Sequence, residues 1–360
     1  MVTTELLAIF ATLSEQYSND QIVYVADHAI DLSVLPPHPT FVLNAGESGK
    51  TLETVQQIWD FLFANEITRR GLMVCIGGGT TTDIGGFAAA TYKRGIDYIN
   101  IPTTLLGMVD ASTGGKTGIN YRGIKNSIGA FHQPVETIIW PNWLKTLPTH
   151  ELLSGFAEML KTGLIANKQL WYRLLQFDLD APKLDEPHLK ELSSLIEECV
   201  AAKTRIVDSD PRESGLRKAL NLGHTFGHAL EEINLTGESG RTAQRSRSDL
   251  ESGLTGKAGL PHGYAVLYGL IAELYLSVVI LDFNRTVLLQ LSQLMLHYYG
   301  RPECKCSDRE RLLQLMRQDK KNEHAAVINC TLLRAIGEPV INQAISDEQA
   351  LEAWEYLFSL

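Results

Sequence analysis

The 360-residue chain has no cysteine pair at CxxC spacing, and its five cysteines are odd in number and irregularly spaced. Only one lysine separates Cys304 from Cys306, which is too short a spacing for the usual zinc hairpin. The pattern excludes a disulfide framework of the kind found in small secreted domains. It predicts free thiols in a reducing compartment, and we expect the protein to be cytoplasmic.

Long apolar runs and net positive charge are also missing. No apolar run approaches the ~20 residues that span a bilayer, and the most apolar late segment, 265–283, contains Glu273 and Asp282. The N-terminal residues lack a basic region and carry Glu5 in their apolar patch, which predicts an amphipathic helix instead of a signal peptide. The formal net charge of −10 disfavours a nucleic-acid binder. We therefore expect neither a membrane nor a nucleic acid as a partner.

The secondary-structure signals change near Pro148. Before it, strand-like apolar runs alternate with helical patterns, which predicts an α/β domain with a largely parallel sheet. After it, helical patterns dominate, including one predicted helix at 215–233. We predict two domains, at 1–148 and 149–360. The segment 234–260, rich in Gly, Ser, Thr and Arg, is typical of a long mobile surface loop.

Glycine is concentrated between Ile76 and Gln133, where 12 of the chain's 29 glycines fall within 58 residues. The apolar run 72–76 reads as a buried strand that ends in Gly77, Gly78 and Gly79, ahead of a helix predicted to begin near Asp83. A strand, a glycine turn and a helix together offer free backbone N–H groups to a phosphate. The plainer alternative is a glycine-rich turn that packs a helix on a sheet.

Four polar residues follow helical spacing in the predicted helix 215–233. Arg217, Asn221, His224 and His228 stand at i, i+4, i+7 and i+11, which would place them on one helical face. The two histidines are spaced like metal ligands, but Thr225 stands where a metalloprotease has glutamate.

Two further residues offer metal ligands elsewhere in the chain. A catalytic Zn²⁺ site could combine Glu158 and His224 with either His262 or His228, and spacing alone does not choose between these two. Cations also recur in or near the motif-like stretches, and a cluster of them would suit a substrate with carboxylate and phosphate groups. These cations are Lys116, Lys125, Lys161, Lys203, Arg217, Lys320 and Lys321.

Six segments resemble, in their order, the motifs of the 3-dehydroquinate synthase family of NAD- and metal-dependent sugar phosphate cyclases. They are IPTTLLGMVDASTGGKTGIN, KNSIGAFHQP, LKTLP, GFAEMLKTG, LNLGHTFGHALE and HGYAV. The resemblance runs from about Glu47 to Gly337. It implies an N-terminal Rossmann-like α/β domain, an all-α C-terminal domain that binds metal and substrate, and a homodimer.

The resemblance also implies a reaction. The family converts 3-deoxy-D-arabino-heptulosonate 7-phosphate to 3-dehydroquinate and phosphate by transient NAD oxidation, phosphate elimination, re-reduction and intramolecular aldol closure. This phosphate-eliminating carbon–oxygen lyase activity belongs to the shikimate pathway of chorismate and aromatic amino acid biosynthesis. The implied cofactors are NAD and Zn²⁺, with Co²⁺ as a possible substitute.

The family motifs imply roles for individual positions. Glu158, His224 and His262 would hold the metal, and Arg94 would reach the phosphate site of the neighbouring subunit. The implied catalytic residues are Lys116, Lys161, Lys203, Arg217, Asn221 and His228. The same six would contact substrate, together with Asp110, Asn126, Arg94 of the neighbouring subunit and one of the two lysines Lys320 and Lys321. The implied cofactor-binding residues are Glu47, Lys50, Gly78, Gly79, Asp83, Thr103, Thr104, Asp110, Lys125, Trp143, Thr146, Leu147 and Glu151.

Two alternative functions stay open beside this one. A sibling cyclase would act on another sugar phosphate, such as sedoheptulose 7-phosphate, whereas a polyol or glycerol dehydrogenase of the same fold would release NADH. The types at Asn126, Lys203, Asn221 and His228 match the 3-dehydroquinate synthase pattern. The chain departs from the family in the long stretch between His224 and His262 and in Tyr264, where many members carry glutamate.

Overall fold

A computed structural model describes residues 1–44, 46–122, 124–179, 184–235, 259–302, 308–318 and 327–360. Residues 236–258 of the predicted loop 234–260 lie outside the described residues, and so do Lys320 and Lys321. The backbone forms two compact units, Met1–Leu147 with Asp180–Val200, and Pro148–Leu179 with Ala201–Leu360. The segment 180–200, which the sequence predicts in the second domain, is grouped with the first unit, where Lys145 pairs with Glu186 at 2.9 Å.

The first unit is built on a five-stranded sheet of order β2-β1-β3-β4-β7 in which all neighbours are parallel. The α/β fold predicted from alternating strand and helix signals is therefore confirmed. Its strands are β1 (Ile22–Asp27), β2 (Thr40–Leu43), β3 (Leu72–Gly77), β4 (Asp97–Pro102) and β7 (Glu136–Thr137), and its helices are α1 (Leu6–Gln16), α2 (Leu52–Ala64) and α3 (Gly79–Thr91).

Both faces of this sheet are buried, which explains why its central strands are apolar without alternation. Met73 and Cys75 of β3 point into a core formed with α2 and α3, while Leu72 and Val74 point into a second core formed with α1. Because side chains alternate along a strand, a continuous apolar run supplies both cores. Burial on both faces thereby fixes the position of β3, and with it the position of the turn that joins β3 to α3.

The glycines of α3 allow close packing. A Cβ on Gly85 would lie 2.3 Å from Cys75 Sγ, and one on Gly86 would lie 2.4 Å from Thr117 Cγ2. The helix begins at Gly79, four residues before the predicted start near Asp83. Part of the glycine concentration therefore serves helix–sheet packing, as the plainer alternative proposed.

A hairpin of β5 (Lys116–Tyr121) and β6 (Ile124–Phe131) stands apart from the main sheet and was missed by the sequence analysis. Its register shifts between Ile119 and Tyr121, because Ile119 pairs with Ile128 whereas Tyr121 pairs with Ile124. Residues 125–127 therefore bulge out of β6 opposite a single residue of β5, Asn120.

The second unit is mainly helical, with one antiparallel hairpin. The helices are α4 (Thr149–Ala166), α5 (Lys168–Gln176), α7 (His224–Leu235), α8 (His262–Leu281), α9 (Arg285–Tyr298), α10 (Arg309–Arg317) and α11 (Asp347–Ser359), and the hairpin is β8 (Ile328–Ala335) with β9 (Glu338–Ile345). Helix α6 (Glu186–Ser209) contributes residues to both units. The all-α prediction is correct except for this hairpin, whose second strand was missed.

One helix prediction is wrong. The predicted helix 215–233 is a 3-10 helix, Leu216–Asn221, followed by a break and then α7. The break occurs at Gly223, whose φ of +80° belongs to the left-handed region that favours glycine. Arg217 and Asn221 consequently do not share one helical face with His224 and His228.

Helices α4, α7 and α8 approach each other closely because glycines face neighbouring backbone. A Cβ on Gly269 of α8 would lie 1.9 Å from Gly223 O, and one on Gly263 would lie 1.9 Å from Ser154 O of α4. Helix α8 is long and apolar enough to cross a membrane by length and composition alone, but 72% of its most apolar window is buried inside the protein. This burial is typical of a core helix, as its sequence predicts.

We expect Gly269→Ala to destabilise the second unit by about 3 kcal/mol, the upper end for overpacking, because the added methyl overlaps backbone that cannot rotate away. Urea unfolding followed by far-UV circular dichroism measures the change. Val279→Ala is the matched control on the same helix, since Val279 is 53% exposed. Equal midpoints for the two variants would contradict the packing argument.

Candidate functional site

Three predicted metal ligands converge in the second unit. Glu158 Oε1 on α4 lies 3.7 Å from His224 Nε2 and 3.4 Å from His262 Nε2. The ligand atoms of the three residues lie within 4.8 Å of one another, and no other such cluster of His, Cys, Asp and Glu occurs among the described residues. His228, whose ring centre lies 5.4 Å from that of His224, does not belong to the cluster.

The second nitrogen of each histidine has its own partner. His262 Nδ1 lies 3.1 Å from Glu231 Oε1, and His224 Nδ1 lies 3.2 Å from the carbonyl oxygen of Leu222. Both partners are acceptors, so each Nδ1 carries a proton and each Nε2 presents its lone pair toward Glu158 when the ring is neutral. This orientation is the usual one for metal-binding histidines.

A buried carboxylate fixes where α7 begins. Glu273 of α8 is fully buried and accepts from Gly223 N at 2.6 Å and from Thr225 N at 3.3 Å. A negative charge is favourable at a helix N-terminus, where backbone N–H groups lack partners within the helix. Because His224 is the first residue of α7, Glu273 also sets the direction of that ligand.

The carboxylates around His262 change its proton affinity. Desolvation lowers the pKa of His262, but the hydrogen bonds and charges of Glu158 and Glu231 outweigh it and raise the pKa to about 10. In the metal-free protein this imidazole is therefore protonated at neutral pH, and a divalent cation must displace the proton to bind.

Three cations predicted from the sequence are buried in the same unit. Lys161 is 1% exposed and forms an ion pair with Glu158, while Lys203 and Arg217 are 6% and 2% exposed. Basic side chains are rarely buried to this degree unless they serve paired or functional sites. Arg217 is held in place by donating from Nη1 to Pro211 O at 2.8 Å.

Asp210 orders the loop that leads to Arg217. Its carboxylate accepts from the backbone N–H groups of Ser214 at 3.0 Å, Gly215 at 2.7 Å and Arg217 at 3.1 Å. Desolvation raises the pKa of Asp210, but these hydrogen bonds outweigh it and lower the pKa to about 2. Asp210 therefore stays ionised across the neutral range and can accept these hydrogen bonds throughout it.

Two acidic residues beside the predicted site were missed by the sequence analysis. Glu213, in the left-handed region at φ 58°, accepts from Asn221 Nδ2 at 2.9 Å. Glu231 holds His262. The spacing of Glu231, seven residues after His224 and three after His228, could have placed it on the same face of α7. Glu213 has no comparable sequence signal, because a loop brings it to Asn221.

The first unit holds a second group of predicted residues. Gly78 precedes the first residue of α3, Gly79, directly after β3. The buried Lys50 donates through Nζ to Asp83 and to Asn126 Oδ1, so a predicted cofactor residue and a predicted substrate residue share one cation. Burial raises the pKa of Asp83, and the charge of Lys50 opposes this.

The remaining predicted residues are spread over the first unit and the start of α4. Arg94 is exposed with φ at 69°, and Lys116 is exposed at the start of β5. Asp110 lies in a short π-helix, Gly107–Ala111. Thr103 and Thr104 follow β4, Lys125 lies on β6, Trp143 and Thr146 lie in the 3-10 helix Pro141–Thr146 with Leu147 next to it, and Glu151 lies in the first turn of α4.

Both groups fit the ligands that the sequence motifs imply. One carboxylate oxygen and two imidazole nitrogens form a zinc ligand set that leaves a coordination position open for catalysis. At the β3–α3 turn, a Cβ on Gly77 would lie 2.4 Å from Thr81 Oγ1 and one on Gly78 would lie 3.1 Å from Thr104 Cγ2. A side chain would overlap Thr81 at the first position and crowd Thr104 at the second, so the turn favours glycine. A helix N-terminus that follows such a turn suits a dinucleotide phosphate.

Two family models match consecutive parts of the chain. They describe the N-terminal part of 3-dehydroquinate synthase, at residues 40–154, and its C-terminal part, at residues 155–239. A 3-dehydroquinate synthase from Parabacteroides distasonis is 40% identical over 326 residues, which are 91% of this chain and 85% of that protein.

Solved structures with the same fold are also found. The 2-epi-5-epi-valiolone synthase of Streptomyces hygroscopicus subsp. jinggangensis 5008, with NAD⁺ and Zn²⁺ bound, is 26% identical at a TM-score of 0.80, covering 100% of this chain and 96% of that one. A 2-deoxy-scyllo-inosose synthase in complex with carbaglucose-6-phosphate, NAD⁺ and Co²⁺ is 22% identical at a TM-score of 0.74, covering 96% and 94% of the two chains. At 22% identity, the second likeness concerns the fold alone.

We expect His262→Ala to abolish tight binding of a divalent metal, whereas His228→Ala keeps it, because His262 belongs to the ligand cluster and His228 does not. The loss should exceed the roughly 10–100-fold typical of removing an outer-shell partner. Zinc content after dialysis and competition with a chromophoric chelator measure it. Loss of metal from both variants would overturn the ligand assignment.

We also expect Zn²⁺ binding at pH 8 to release a proton from His262. Its raised pKa keeps the imidazole charged at that pH, where an ordinary histidine is already neutral, so Zn²⁺ affinity rises with pH between 6 and 8. Calorimetry in buffers of different ionisation enthalpy counts the protons. Glu231→Gln removes one of the carboxylates and should reduce the count, whereas an unchanged count would contradict the charge assignment.

Proposed function

The chain belongs to the 3-dehydroquinate synthase family, and we propose that it converts 3-deoxy-D-arabino-heptulosonate 7-phosphate to 3-dehydroquinate and phosphate. The observation that carries the proposal is the convergence of Glu158, His224 and His262 in a unit that also buries three cations. The chain matches the family over most of its length. The reaction is that of a phosphate-eliminating carbon–oxygen lyase in the shikimate pathway, which leads to chorismate and the aromatic amino acids.

NAD and Zn²⁺ are the proposed cofactors, with Co²⁺ as a substitute. When bound, NAD⁺ supplies a reversible hydride acceptor, and the metal stabilises negative charge on an oxygen of the substrate. Glu158, His224 and His262 would hold the metal. Gly78, Gly79 and the N-terminal N–H groups of α3 would hold the NAD pyrophosphate, and Lys50 keeps Asp83 in the same helix in place.

The buried cations account for recognition of an anionic substrate. Lys203 and Arg217 carry positive charge in surroundings of low exposure, where attraction to carboxylate and phosphate groups is stronger than in water. A guanidinium suits carboxylate and phosphate because its donors form a planar fork, and the backbone contacts of Arg217 limit its movement. The positive charge of Lys161, in contrast, is paired with the carboxylate of Glu158.

Proton transfers would use Asn221 and His228. The Glu213 carboxylate fixes the side-chain amide of Asn221, which leaves the Asn221 carbonyl oxygen as an acceptor. His228 lies beside the ligand cluster without belonging to it, and its imidazole would serve there as the group that takes up and returns a proton.

A homodimer in the cytoplasm is part of the proposal. Hairpin β5–β6 exposes Tyr121, Ile124, Ile128 and Phe131, an apolar group typical of an interaction surface, and exposed Arg94 is available to a neighbouring subunit. Cys75, Cys199 and Cys330 are buried and form no disulfide among the described residues, which is consistent with a reducing compartment.

A second candidate is a sibling cyclase that acts on another sugar phosphate, such as sedoheptulose 7-phosphate, because a solved structure with the same fold is a synthase of a different product, a valiolone. The motif residues Lys203, Asn221 and His228 favour the heptulosonate phosphate. A polyol or glycerol dehydrogenase of the same fold is less compatible with the KNSIGAFHQP and LNLGHTFGHALE segments.

We expect the Zn²⁺- and NAD⁺-loaded protein to release phosphate from 3-deoxy-D-arabino-heptulosonate 7-phosphate and to form a carbocycle without net NADH. Parallel incubations with sedoheptulose 7-phosphate and glycerol, followed by phosphate assay, mass spectrometry and absorbance at the NADH band, separate the candidates. Turnover of the heptulose phosphate alone would replace the proposal by the sibling cyclase. Accumulating NADH would identify a dehydrogenase.

A further inference from the structure

Asn120 occupies a junction on hairpin β5–β6 to which the sequence motifs assign no role. It is the single β5 residue opposite the bulge at residues 125–127 of β6. Within that bulge, Asn126 has a φ of 50°, and its backbone N–H turns toward the side chain of Asn120. The bulge is thus held by a side chain as well as by the strand ladder.

Asn120 contacts three proposed site residues. Its backbone N–H donates to Lys50 O at 2.9 Å, its Nδ2 donates to Glu47 Oε1 at 2.7 Å, and its Oδ1 accepts from Asn126 N at 2.8 Å. Lys50 also contacts Asn126 directly, because its Nζ donates to Asn126 Oδ1. The segment that would bind cofactor and the residue that would bind substrate are therefore joined through Asn120.

The chemistry of this junction requires an amide. A backbone N–H needs an acceptor and a carboxylate needs a donor, and a carboxamide supplies both from one planar group. The two partners also fix which amide atom is oxygen and which is nitrogen. Aspartate has the same shape and would keep the contact to Asn126 N, but it would place a second negative charge against Glu47.

We propose that Asn120 is a positioning residue that couples cofactor binding to substrate binding, so that NAD⁺ and the sugar phosphate each strengthen binding of the other. The inference rests on the proposed function of Glu47, Lys50 and Asn126. A cofactor that fixes Glu47 also fixes Asn120, and Asn120 then holds the backbone of Asn126 in place for the substrate. The coupling is necessarily reciprocal.

The test is Asn120→Asp in the metal-loaded protein. Initial rates over a matrix of NAD⁺ and 3-deoxy-D-arabino-heptulosonate 7-phosphate concentrations give the factor by which each ligand changes the affinity for the other. We expect a factor of about 5 or more in the natural protein and close to 1 in N120D. The KM values should change more than kcat at saturation of both ligands, which a merely structural defect would not produce.

A paired variant supplies the rescue. In the double variant Glu47→Gln with Asn120→Asp, the amide at position 47 donates and the carboxylate at position 120 accepts, so the charge repulsion disappears. Part of the factor by which each ligand strengthens binding of the other should then return. Ser127→Ala is the matched control within the same bulge, because its hydroxyl bonds only to Ile124 O among the described contacts and should leave the factor unchanged. Thermal unfolding of all variants monitors the fold.

Distinct outcomes separate this inference from the proposed function. If the natural protein turns over the heptulosonate phosphate but N120D keeps the full interaction factor, or the natural protein shows a factor of 1, the role of Asn120 is overturned. If the natural protein shows no turnover, the proposed function fails. The inference then depends on NAD⁺ calorimetry, where N120D must weaken binding and the paired variant must restore it.

Discussion

A carboxylate that is almost completely buried, that of Glu158, sets the requirements for its surroundings. An ionised carboxylate at 1% exposure is too costly to keep unless positive groups compensate it. Lys161 provides one such group from the next turn of α4, and His224 and His262 approach from α7 and α8. Three helices must therefore be held at close range, and the glycines at their contacts make that approach possible. The first unit has a similar centre of opposite sign, because buried Lys50 gathers Asp83 and Asn126 around one cation.

Further acidic residues contact the groups that surround Glu158 and the segment that carries Asn221. Glu231 holds His262, Glu273 holds the first turn of α7, and Glu213 holds Asn221. Glu231 and Glu213 contact a proposed site residue directly, and Glu273 contacts the backbone on both sides of His224, so each restricts the orientation of a site residue without replacing its function. Such supporting contacts are what keep a reactive geometry within the small tolerance that catalysis requires. The acidic composition of the chain is thus partly used to orient its own basic and imidazole side chains.

Local patterns predicted most of the fold. The parallel sheet and the bounds of α4, α8 and α9 follow from apolar periodicity, and the change of texture near Pro148 reflects the change from strands to helices. Periodicity failed at 215–233, because a left-handed glycine interrupts the helix without changing the spacing of the residues around it. The motifs indicated Glu158, His224 and His262, whereas the packing of α4 against α7 and α8 decides that His228 lies outside the cluster. Residues such as Asn120 and Glu213 act through contacts between segments that are not periodic, so no pattern within one segment could find them.

The carboxylate of Glu273 has a consequence for how the protein acquires its metal. It positions the helix that carries His224 through backbone contacts alone, and Glu231 orients His262 in the same independent manner. Because these contacts use no metal-binding atom, we expect the ligand geometry to form independently of the ion, in contrast to zinc fingers, which are unfolded without metal. Folding can be completed first and metallation can follow as an ordinary exchange equilibrium. Under those conditions the identity of the bound ion is decided by the cell's supply and by ligand chemistry. We therefore expect the ion to be removed and replaced reversibly without unfolding of the protein.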